Sequence, residues 1–254
     1  MVGIRFAALG DSFTEGVGDE LEDGYVRGWA DLFAEGVARS TGNPVQYANF
    51  AIRGKLLAPI IAEQLEPAIK LNPTLVSFAG GGNDMLRPSV DVEQLVKQTE
   101  RTLHAFLDVG AEPFMLSSGN FSQWVPMSER IQERGDVFVE AASTLADKLG
   151  IPYVNNWIDD ELAKIQYWAD DRLHLGPEGH RRVAANALRT LGFEVPDEWQ
   201  LVVADGAPPS PIDNAKYAIQ HVAPWITRRL TGRSSGDGRS AKYTDWVLIT
   251  PHSA

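Results

Sequence analysis

An apolar strand that ends abruptly in a polar turn is the feature that most constrains how this chain folds. Residues 4–9 are mostly apolar, and Gly10, Asp11 and Ser12 follow them. A pattern of apolar residues at three- and four-residue spacing then predicts a helix over residues 24–41. The order of strand, turn and helix is typical of an open parallel α/β sheet, in which reactive groups collect beyond the carboxyl ends of the strands. We therefore expect Ser12 at the functional edge of a sheet.

The same alternation of strands and helices continues to about residue 190. Apolar runs predict strands at residues 45–50, 74–79, 112–118 and 151–155, and amphipathic patterns predict helices at residues 56–71, 91–109, 128–149 and 177–190. No two strands are joined by a hairpin signal, which favours parallel strands connected by helices. The sequence thus predicts an α/β protein, a three-layer α/β/α sandwich around a five-stranded parallel sheet of flavodoxin-like type.

The character of the chain changes beyond about residue 196. Residues 207–211 form a Pro-rich linker, and residues 212–230 carry apolar side chains at helical spacing. Residues 228–242 then form a basic loop, whose cations are Arg228, Arg229, Arg233, Arg239 and Lys242. We expect a core domain over residues 1–196 and a C-terminal extension over residues 197–254. The cations of this extension should dock on the acidic body, since a charge run is usually solvated or internally paired.

Charge and composition exclude several classes of function. The 34 acidic and 23 basic residues give a formal net charge of −11, which argues against nucleic acid or an anionic membrane as the main partner. The chain has no cysteine, so a disulfide, a thiolate metal site and a cysteine nucleophile are excluded. No apolar run reaches membrane-spanning length, and the chain enters its first strand without a leader, from which we expect a cytoplasmic protein. The sequence leaves the oligomeric state open.

Four short motifs follow predicted strands or precede the last helix, at one edge of the predicted sheet. They carry Ser12, Gly54, Asn83, and the pair Asp171 and His174. Each motif has a simpler interpretation when it is taken alone. The serine suits a turn, the glycine suits a backbone position with positive φ, and the asparagine suits a helix cap. Their coincidence at one edge favours a shared chemical role.

The four motifs together resemble those of the GDSL or SGNH hydrolases, a family named for a Ser, a Gly, an Asn and a His. The matching blocks read GDSFTEG with Ser12, NFAIRG ending in Gly54, GGND with Asn83, and DRLH with Asp171 and His174. Phe13 stands where the family usually has Leu, and the resemblance spans roughly residues 4–192. It implies the flavodoxin-like SGNH fold and a serine esterase.

The resemblance also implies a role for each of these residues. Ser12 is the expected nucleophile, His174 the base that takes its proton, and Asp171 the group that orients the imidazole. The backbone N–H groups of Ser12 and Gly54 and the Asn83 amide are the expected oxyanion hole. No cofactor is expected. The histidines are too scattered for a metal site, and no HExxH motif occurs.

The substrate is constrained only loosely by the sequence. Phe121, Trp124 and Trp168 are candidate lining residues of an acyl pocket, although they could equally cover the core. We expect a small-molecule acyl ester, with a short-chain acyl or acetyl group. The same residues would serve an acyltransferase or a thioesterase. A non-catalytic module that binds carbohydrate or phosphate is a further alternative. Two observations argue against phosphate: Asp11 and Glu15 would repel it, and the sequence has no GxxxxGK[ST] motif.

Overall fold

A computed structural model describes residues 3–87, 89–125, 128–200, 203–204, 210, 217, 220 and 235–251. The linker and helix predicted over residues 207–230 lie outside the described residues, apart from isolated positions. Within the described part the strands are β1 (Arg5–Leu9), β2 (Val45–Asn49), β3 (Leu75–Phe78), β4 (Glu112–Leu116), β5 (Tyr153–Val154) and β6 (Tyr243–Ile249). The helices are α1 (Ser12–Glu15), α2 (Trp29–Thr41), α3 (Leu57–Lys70), α4 (Gly82–Met85), α5 (Val92–Asp108), α6 (Ser128–Leu149) and α7 (Pro177–Thr190).

The strands of the described chain form a single sheet in the order β5-β4-β3-β1-β2-β6. Strands β1 to β5 pair in parallel, which confirms the predicted three-layer α/β arrangement. The predicted number of five strands is wrong, because β6 adds a sixth strand antiparallel to β2. This strand comes from the segment that we read as an extension, and its residues cover the hydrogen-bonding edge that β2 would otherwise expose.

Helix α2 begins at Trp29, five residues after the predicted start. The Gly28 N–H donates to the Asp31 carboxylate at 3.0 Å, which fixes the first turn there. Ahead of it, Glu20 and Val26 form an isolated antiparallel bridge, so this stretch is a loop. The predicted bounds of α6 and α7 are confirmed, since α6 spans Ser128–Leu149 and α7 spans Pro177–Thr190.

Apolar side chains on the two faces of the sheet build two separate cores. On one face, Phe6 and Phe114 of the sheet meet Phe33 of α2 together with residues of α7. On the other face, Leu9 contacts a cluster formed by α3, α5 and the C-terminal half of α6. Successive strand residues point to opposite faces, so one short strand such as β1 feeds both cores. Burial of each large apolar side chain contributes roughly 1.5–3 kcal/mol, which anchors the helices that carry the site.

Helix α6 is the longest helix among the described residues, with 22 residues. Its buried side chains include Ile131, Val139 and Leu145, and charged residues such as Glu133 and Lys148 occupy its other positions. In the described part of the chain, no helix is long and apolar enough to cross a membrane. Helix α6 therefore acts as an amphipathic layer over the sheet, and its apolar side reaches the cavity described below.

Candidate active site

The turn that follows β1 is stabilised by backbone hydrogen bonds to the Asp11 carbonyl and by a buried glutamine. Gln64 of α3 accepts from the Gly10 N–H at 2.9 Å and donates to the Gly10 carbonyl at 2.8 Å. Asp11 caps α1 by accepting from the Phe13 N–H at 3.1 Å. The chain therefore turns sharply at the end of the strand, and Ser12 is the first residue of α1. A polar residue at a buried position of a helix was the sequence signal for Gln64, and our sequence analysis missed it.

The structure brings Ser12 within hydrogen-bond distance of His174, although the two lie 162 residues apart in sequence. The Ser12 Oγ atom is 3.1 Å from Nε2 of His174, and Nδ1 of His174 is 2.5 Å from Oδ2 of Asp171. Both histidine and aspartate lie in the loop just before α7. The backbone at Arg172 has a φ of 51°, which turns the chain so that Asp171 accepts from the N–H groups of Leu173 and His174.

The Asp171 carboxylate is electrostatically suited to orient a histidine. Burial alone would raise the pKa of this carboxyl, but its hydrogen bonds to the His174 ring and to two backbone N–H groups lower the pKa to about 2. Asp171 is therefore ionised at neutral pH and accepts a hydrogen bond from the Nδ1–H group of His174. That fixes the tautomer in which Nε2 of His174 is free to take a proton from Ser12.

Asn83 lies in α4 and its side chain points toward the Ser12 turn. Its Nδ2 atom donates to Oδ2 of Asp11 at 2.9 Å and to the carbonyl of Lys55 at 3.0 Å. The N-terminal cap of α4 is Gly81, with a φ of 98°, so the interpretation of Asn83 as a helix cap does not apply. The amide instead ties the Ser12 turn to the loop that carries Gly54.

Asp11 is a buried acid beside this amide, and only 7% of its surface is exposed. Burial raises the pKa of its carboxyl to about 6, against the lowering effect of the Phe13 N–H, the His174 charge and the Asn83 amide. From the sequence, Asp11 was considered only as a turn residue and as a charge that would repel phosphate. Its contact with Asn83 depends on two loops that meet in space, and no spacing in the sequence indicates it.

The loop after β2 carries Gly54, whose φ of 76° suits a glycine. Asn49 is fully buried at the start of this loop and donates to the Thr14 carbonyl at 3.0 Å, which joins the loop to α1. Further along the loop, Arg53 donates to the Glu15 carboxylate of α1. Its backbone N–H lies 2.6 Å from that carboxylate, and its guanidinium donates at 2.6 and 2.8 Å. These contacts hold the peptide next to Gly54 against the helix that begins at Ser12.

We expect the Glu15 carboxylate to be a substantial part of the stability of this loop. Only 12% of the Glu15 side chain and 14% of the Arg53 side chain are exposed, so water screens the pair poorly. In a Glu15→Gln variant the free energy of unfolding should fall by about 1.5–3 kcal/mol, because charged hydrogen bonds of this kind are lost. That corresponds to a melting temperature lower by about 3–12 °C in a chain of this size.

The matched control for this prediction is Glu63→Gln. Glu63 pairs with Lys55 at 2.7 Å, but 47% of its side chain is exposed, and such surface pairs contribute little. Thermal unfolding of both variants gives the comparison. Equal melting temperatures for the two variants would contradict the role of Glu15.

An apolar cavity of about 110 Å³ opens beside Ser12 and His174 and runs inward past the sheet. Its walls come mainly from the ends of β3 and β4, from α6 and from the loop before α7, and include Phe78, Met115, Phe121, Phe138, Ala142, Leu145 and Trp168. Of the three aromatic residues that we expected there, Phe121 and Trp168 line the cavity. In the described part of the chain, Trp124 is outside the lining and packs on the larger core instead. Gly54 also lies outside this lining.

His180, inside α7, is a structural histidine. It is fully buried, its Nδ1 atom accepts from the Trp29 N–H at 3.2 Å, and its Nε2 atom lies 3.1 Å from the Val17 carbonyl. Burial lowers the pKa of this imidazole to about 4, so it stays neutral and holds two loops together. Among the described residues, no group of three or more His, Cys, Asp and Glu side chains is arranged to hold a metal ion.

Comparison with solved structures places this arrangement in a known fold. The chain is similar to TesA, with 21% identity over 74% of this chain and 97% of TesA and a TM-score of 0.62. It is similar to Axe2, an acetylxylan esterase from Geobacillus stearothermophilus, with 18% identity over 76% and 97% of the two chains and a TM-score of 0.60. It is also similar to EstA from Pseudoalteromonas sp., with 16% identity over 74% and 96% and a TM-score of 0.58. At these identities the similarity shows the fold.

Sequence comparison gives the family. Over 115 residues the chain is 33% identical to the protein YpmR of Bacillus subtilis (strain 168), and the match covers 44% of this chain and 38% of YpmR. The chain thus spans well under half the length of that curated relative. The model of the GDSL-like lipase/acylhydrolase family matches residues 8–182, which is more than half of the chain and includes Ser12, Asn83 and His174. The chain therefore belongs to the GDSL-like lipase/acylhydrolase family.

Proposed function

We propose that this chain is a serine esterase that hydrolyses carboxylic esters at Ser12. The observation that carries the proposal is the hydrogen-bonded series from Ser12 Oγ through the His174 ring to Asp171, at 3.1 and 2.5 Å. A serine hydroxyl becomes an effective nucleophile when a neutral imidazole takes its proton, and an ionised carboxylate stabilises the imidazolium that results.

The reaction follows from this geometry in two steps. The Ser12 oxygen attacks the ester carbonyl carbon while its proton passes to Nε2 of His174, and the same proton then goes to the departing alcohol. Water next attacks the acyl-serine, His174 takes the water proton, and the acid leaves as Ser12 recovers its proton. In both steps we assign the oxyanion to the N–H groups of Ser12 and Gly54 and to the Asn83 amide.

The apolar cavity supports an acyl-binding role beside the nucleophile. A bound water needs about 10–15 Å³ of such space, so a cavity of about 110 Å³ accepts a group much larger than water. Its inner wall is formed by side chains such as Phe138, Ala142 and Leu145, which favour a hydrocarbon chain. We expected a short acyl or acetyl group from the sequence, and the cavity extends the proposed range to longer acyl chains. Phe121 and Trp168 are the proposed aromatic contacts near the entrance.

The names of similar proteins agree with an ester substrate. Axe2 is described as an acetylxylan esterase and EstA as a psychrotrophic esterase inhibited by monoethylphosphonate. A thioester could use the same nucleophile, and the acyl group could pass to an acceptor other than water. The test therefore includes an acyl thioester, and an added alcohol reveals acyl transfer as a new ester product.

A panel of p-nitrophenyl acetate, butyrate and octanoate tests the proposed function. We expect measurable turnover, with kcat/KM for butyrate and octanoate at least equal to that for acetate. An Ala142→Phe variant should fill the inner cavity and remove contacts with the far end of the chain. Loss of two buried methylenes costs about 1.6 kcal/mol, so kcat/KM for octanoate should fall by about 15-fold relative to acetate.

The control for this variant is Val137→Phe on the same helix. Val137 is 55% exposed and its side chain lies away from the cavity, so the ratio of octanoate to acetate should stay as in the wild type. An Ala142→Phe variant that keeps the wild-type ratio would show that the acyl chain binds elsewhere. A wild-type protein with no turnover of any ester or thioester would refute the proposed function.

A further inference from the structure

The peptide that carries the Gly54 N–H is the starting point of the inference. In a trans peptide the carbonyl of one residue and the N–H of the next share a plane and point in opposite directions. The Gly54 N–H therefore belongs to the same rigid unit as the Arg53 carbonyl. Any group that fixes the Arg53 carbonyl also fixes the direction of the Gly54 N–H. This step rests on the proposed function, in which that N–H is an oxyanion donor.

Strand β6 leads the C-terminal segment directly to this peptide. Tyr243 lies opposite Asn49, the last residue of β2. Because β6 runs antiparallel to β2, the residues before Tyr243 continue past the carboxyl end of β2, where the Gly54 loop begins. The turn at residues 235–238 thus lies beside the loop, although it is about 180 residues away in sequence.

Gly236 makes the contact with the loop. It is buried, whereas its neighbours at 235, 237 and 238 are exposed. A Cβ atom added to Gly236 would lie 2.1 Å from the Arg53 carbonyl oxygen and 3.1 Å from Cγ2 of Ile52. The turn therefore packs backbone against backbone on the Arg53 carbonyl, at a distance that only a glycine allows.

The turn is anchored to the body on its other side. Lys242 pairs with Asp31 of α2 at 2.7 Å, and the two side chains are only 10% and 11% exposed. The Tyr243 ring meets the Tyr47 ring edge-on at 6.0 Å, and its hydroxyl lies 3.2 Å from that of Tyr25. Because the C-terminal segment is anchored at these points, its position does not depend on the loop that carries Gly54, and it can restrain that loop.

We infer that Gly236 is a positioning residue for the oxyanion hole. Glu15 holds Arg53 through its backbone N–H and guanidinium, and Gly236 holds the Arg53 carbonyl from the C-terminal segment. The two contacts fix the peptide plane on both sides of Arg53 and so aim the Gly54 N–H. This assigns to the C-terminal segment a catalytic purpose beyond covering the edge of β2.

The test compares Gly236→Ala with Gly238→Ala in the full-length protein. A methyl group on Gly236 collides with the Arg53 carbonyl, and no side-chain rotation relieves that collision. Gly238 lies in the same turn with a φ of 74°, so alanine strains the backbone there, but no described atom lies within 4 Å of its added Cβ. Gly238→Ala thus reports the effect of turn strain without the contact.

Two properties of each variant are measured: the turnover of p-nitrophenyl butyrate and the amide hydrogen exchange of the segment of residues 50–56. We expect kcat of Gly236→Ala to fall at least about tenfold with KM within twofold, since a misaimed donor weakens mainly the transition state. Exchange in residues 50–56 should become faster. Gly238→Ala should keep kcat within about twofold of the wild type, with unchanged exchange.

Either of two results would overturn the inference: a folded Gly236→Ala protein with wild-type kcat, or an equal loss of kcat in Gly238→Ala. Should Gly236→Ala fail to fold, Lys242→Met loosens the anchor away from the loop and must reproduce the loss of kcat at constant KM. Should the wild type turn over no ester, the proposed function fails by itself. Amide hydrogen exchange in residues 50–56 is then the remaining test of the inference. Equal exchange rates in Gly236→Ala and Gly238→Ala would contradict the proposed contact of Gly236 with the Arg53 carbonyl.

Discussion

A Ser12→Ala variant is expected to lose at least about 10⁴-fold in kcat on the best ester of the panel. The hydroxyl lies 3.1 Å from Nε2 of His174, and no other atom of the variant can form the acyl intermediate from that position. The residual rate comes from binding and the oxyanion hole, which can still promote attack by water. Substrate affinity should change little, because the apolar side chains that line the cavity are unchanged.

The control for Ser12→Ala is Ser118→Ala. Ser118 also lines the cavity, so its substitution changes the polarity of the site without removing the proposed nucleophile. We expect its kcat to stay within a few-fold of the wild type, with both variants unfolding near the wild-type temperature. Near wild-type turnover by purified Ser12→Ala protein would mean that the chemistry takes place without this serine.

An Asn83→Ala variant is expected to lower kcat by about 10²–10³-fold with little change in KM. The amide donates to Asp11 and to the Lys55 carbonyl, and Asn83 lines the same cavity as Ser12. An oxyanion that forms there is a stronger acceptor than either resident partner, so the interaction appears mainly in the transition state. The variant also removes a group that lowers the pKa of the buried Asp11 carboxyl, and that pKa should rise further.

Asn186→Ala separates the loss of an oxyanion donor from the loss of an amide that makes two hydrogen bonds. The Asn186 amide likewise donates to two oxygens, of Asn156 at 3.0 Å and of the Asp159 carboxylate at 2.8 Å, but it lies on α7 away from Ser12. Both variants should lose about 1–3 kcal/mol of unfolding free energy. Only Asn83→Ala should lose turnover, as measured by steady-state kinetics beside urea unfolding. A comparable loss of kcat in both variants would show that stability, and not the oxyanion, explains the effect.

The repeated alternation of strands and helices made the parallel part of the fold predictable. Each of strands β1 to β5 is an apolar run, and the amphipathic helices between them can pack back on the sheet in few ways. Strand β6 was missed for a physical reason. The sequence YTDWVLI ends in a short apolar run near the end of the chain, but its partner is β2, almost 200 residues earlier. Pairing over such a separation leaves no local signal.

The candidate site shows a similar division between what is local and what is not. The motifs around Ser12, Asn83 and His174 lie at turns that follow strands or precede helices, and such turns are visible in the sequence. The contacts among these turns are long-range. The contacts of Glu15 and of Gly236 with Arg53 join α1, the loop after β2 and the C-terminal turn, which are far apart in the sequence. The sequence contains no periodic pattern for such contacts, and only the folded chain reveals them.

Covalent labelling with a fluorophosphonate tests most directly that Ser12 is an activated nucleophile. The reagent reacts with a serine hydroxyl only where a base takes the proton and an oxyanion hole binds the phosphoryl oxygen. Intact-mass measurement of the wild-type protein should show one added label, and peptide mapping should place it on Ser12. The Ser12→Ala variant should remain unlabelled, and Ser118→Ala should label as the wild type does. Label on another residue, or none on a folded wild-type protein, would contradict the account.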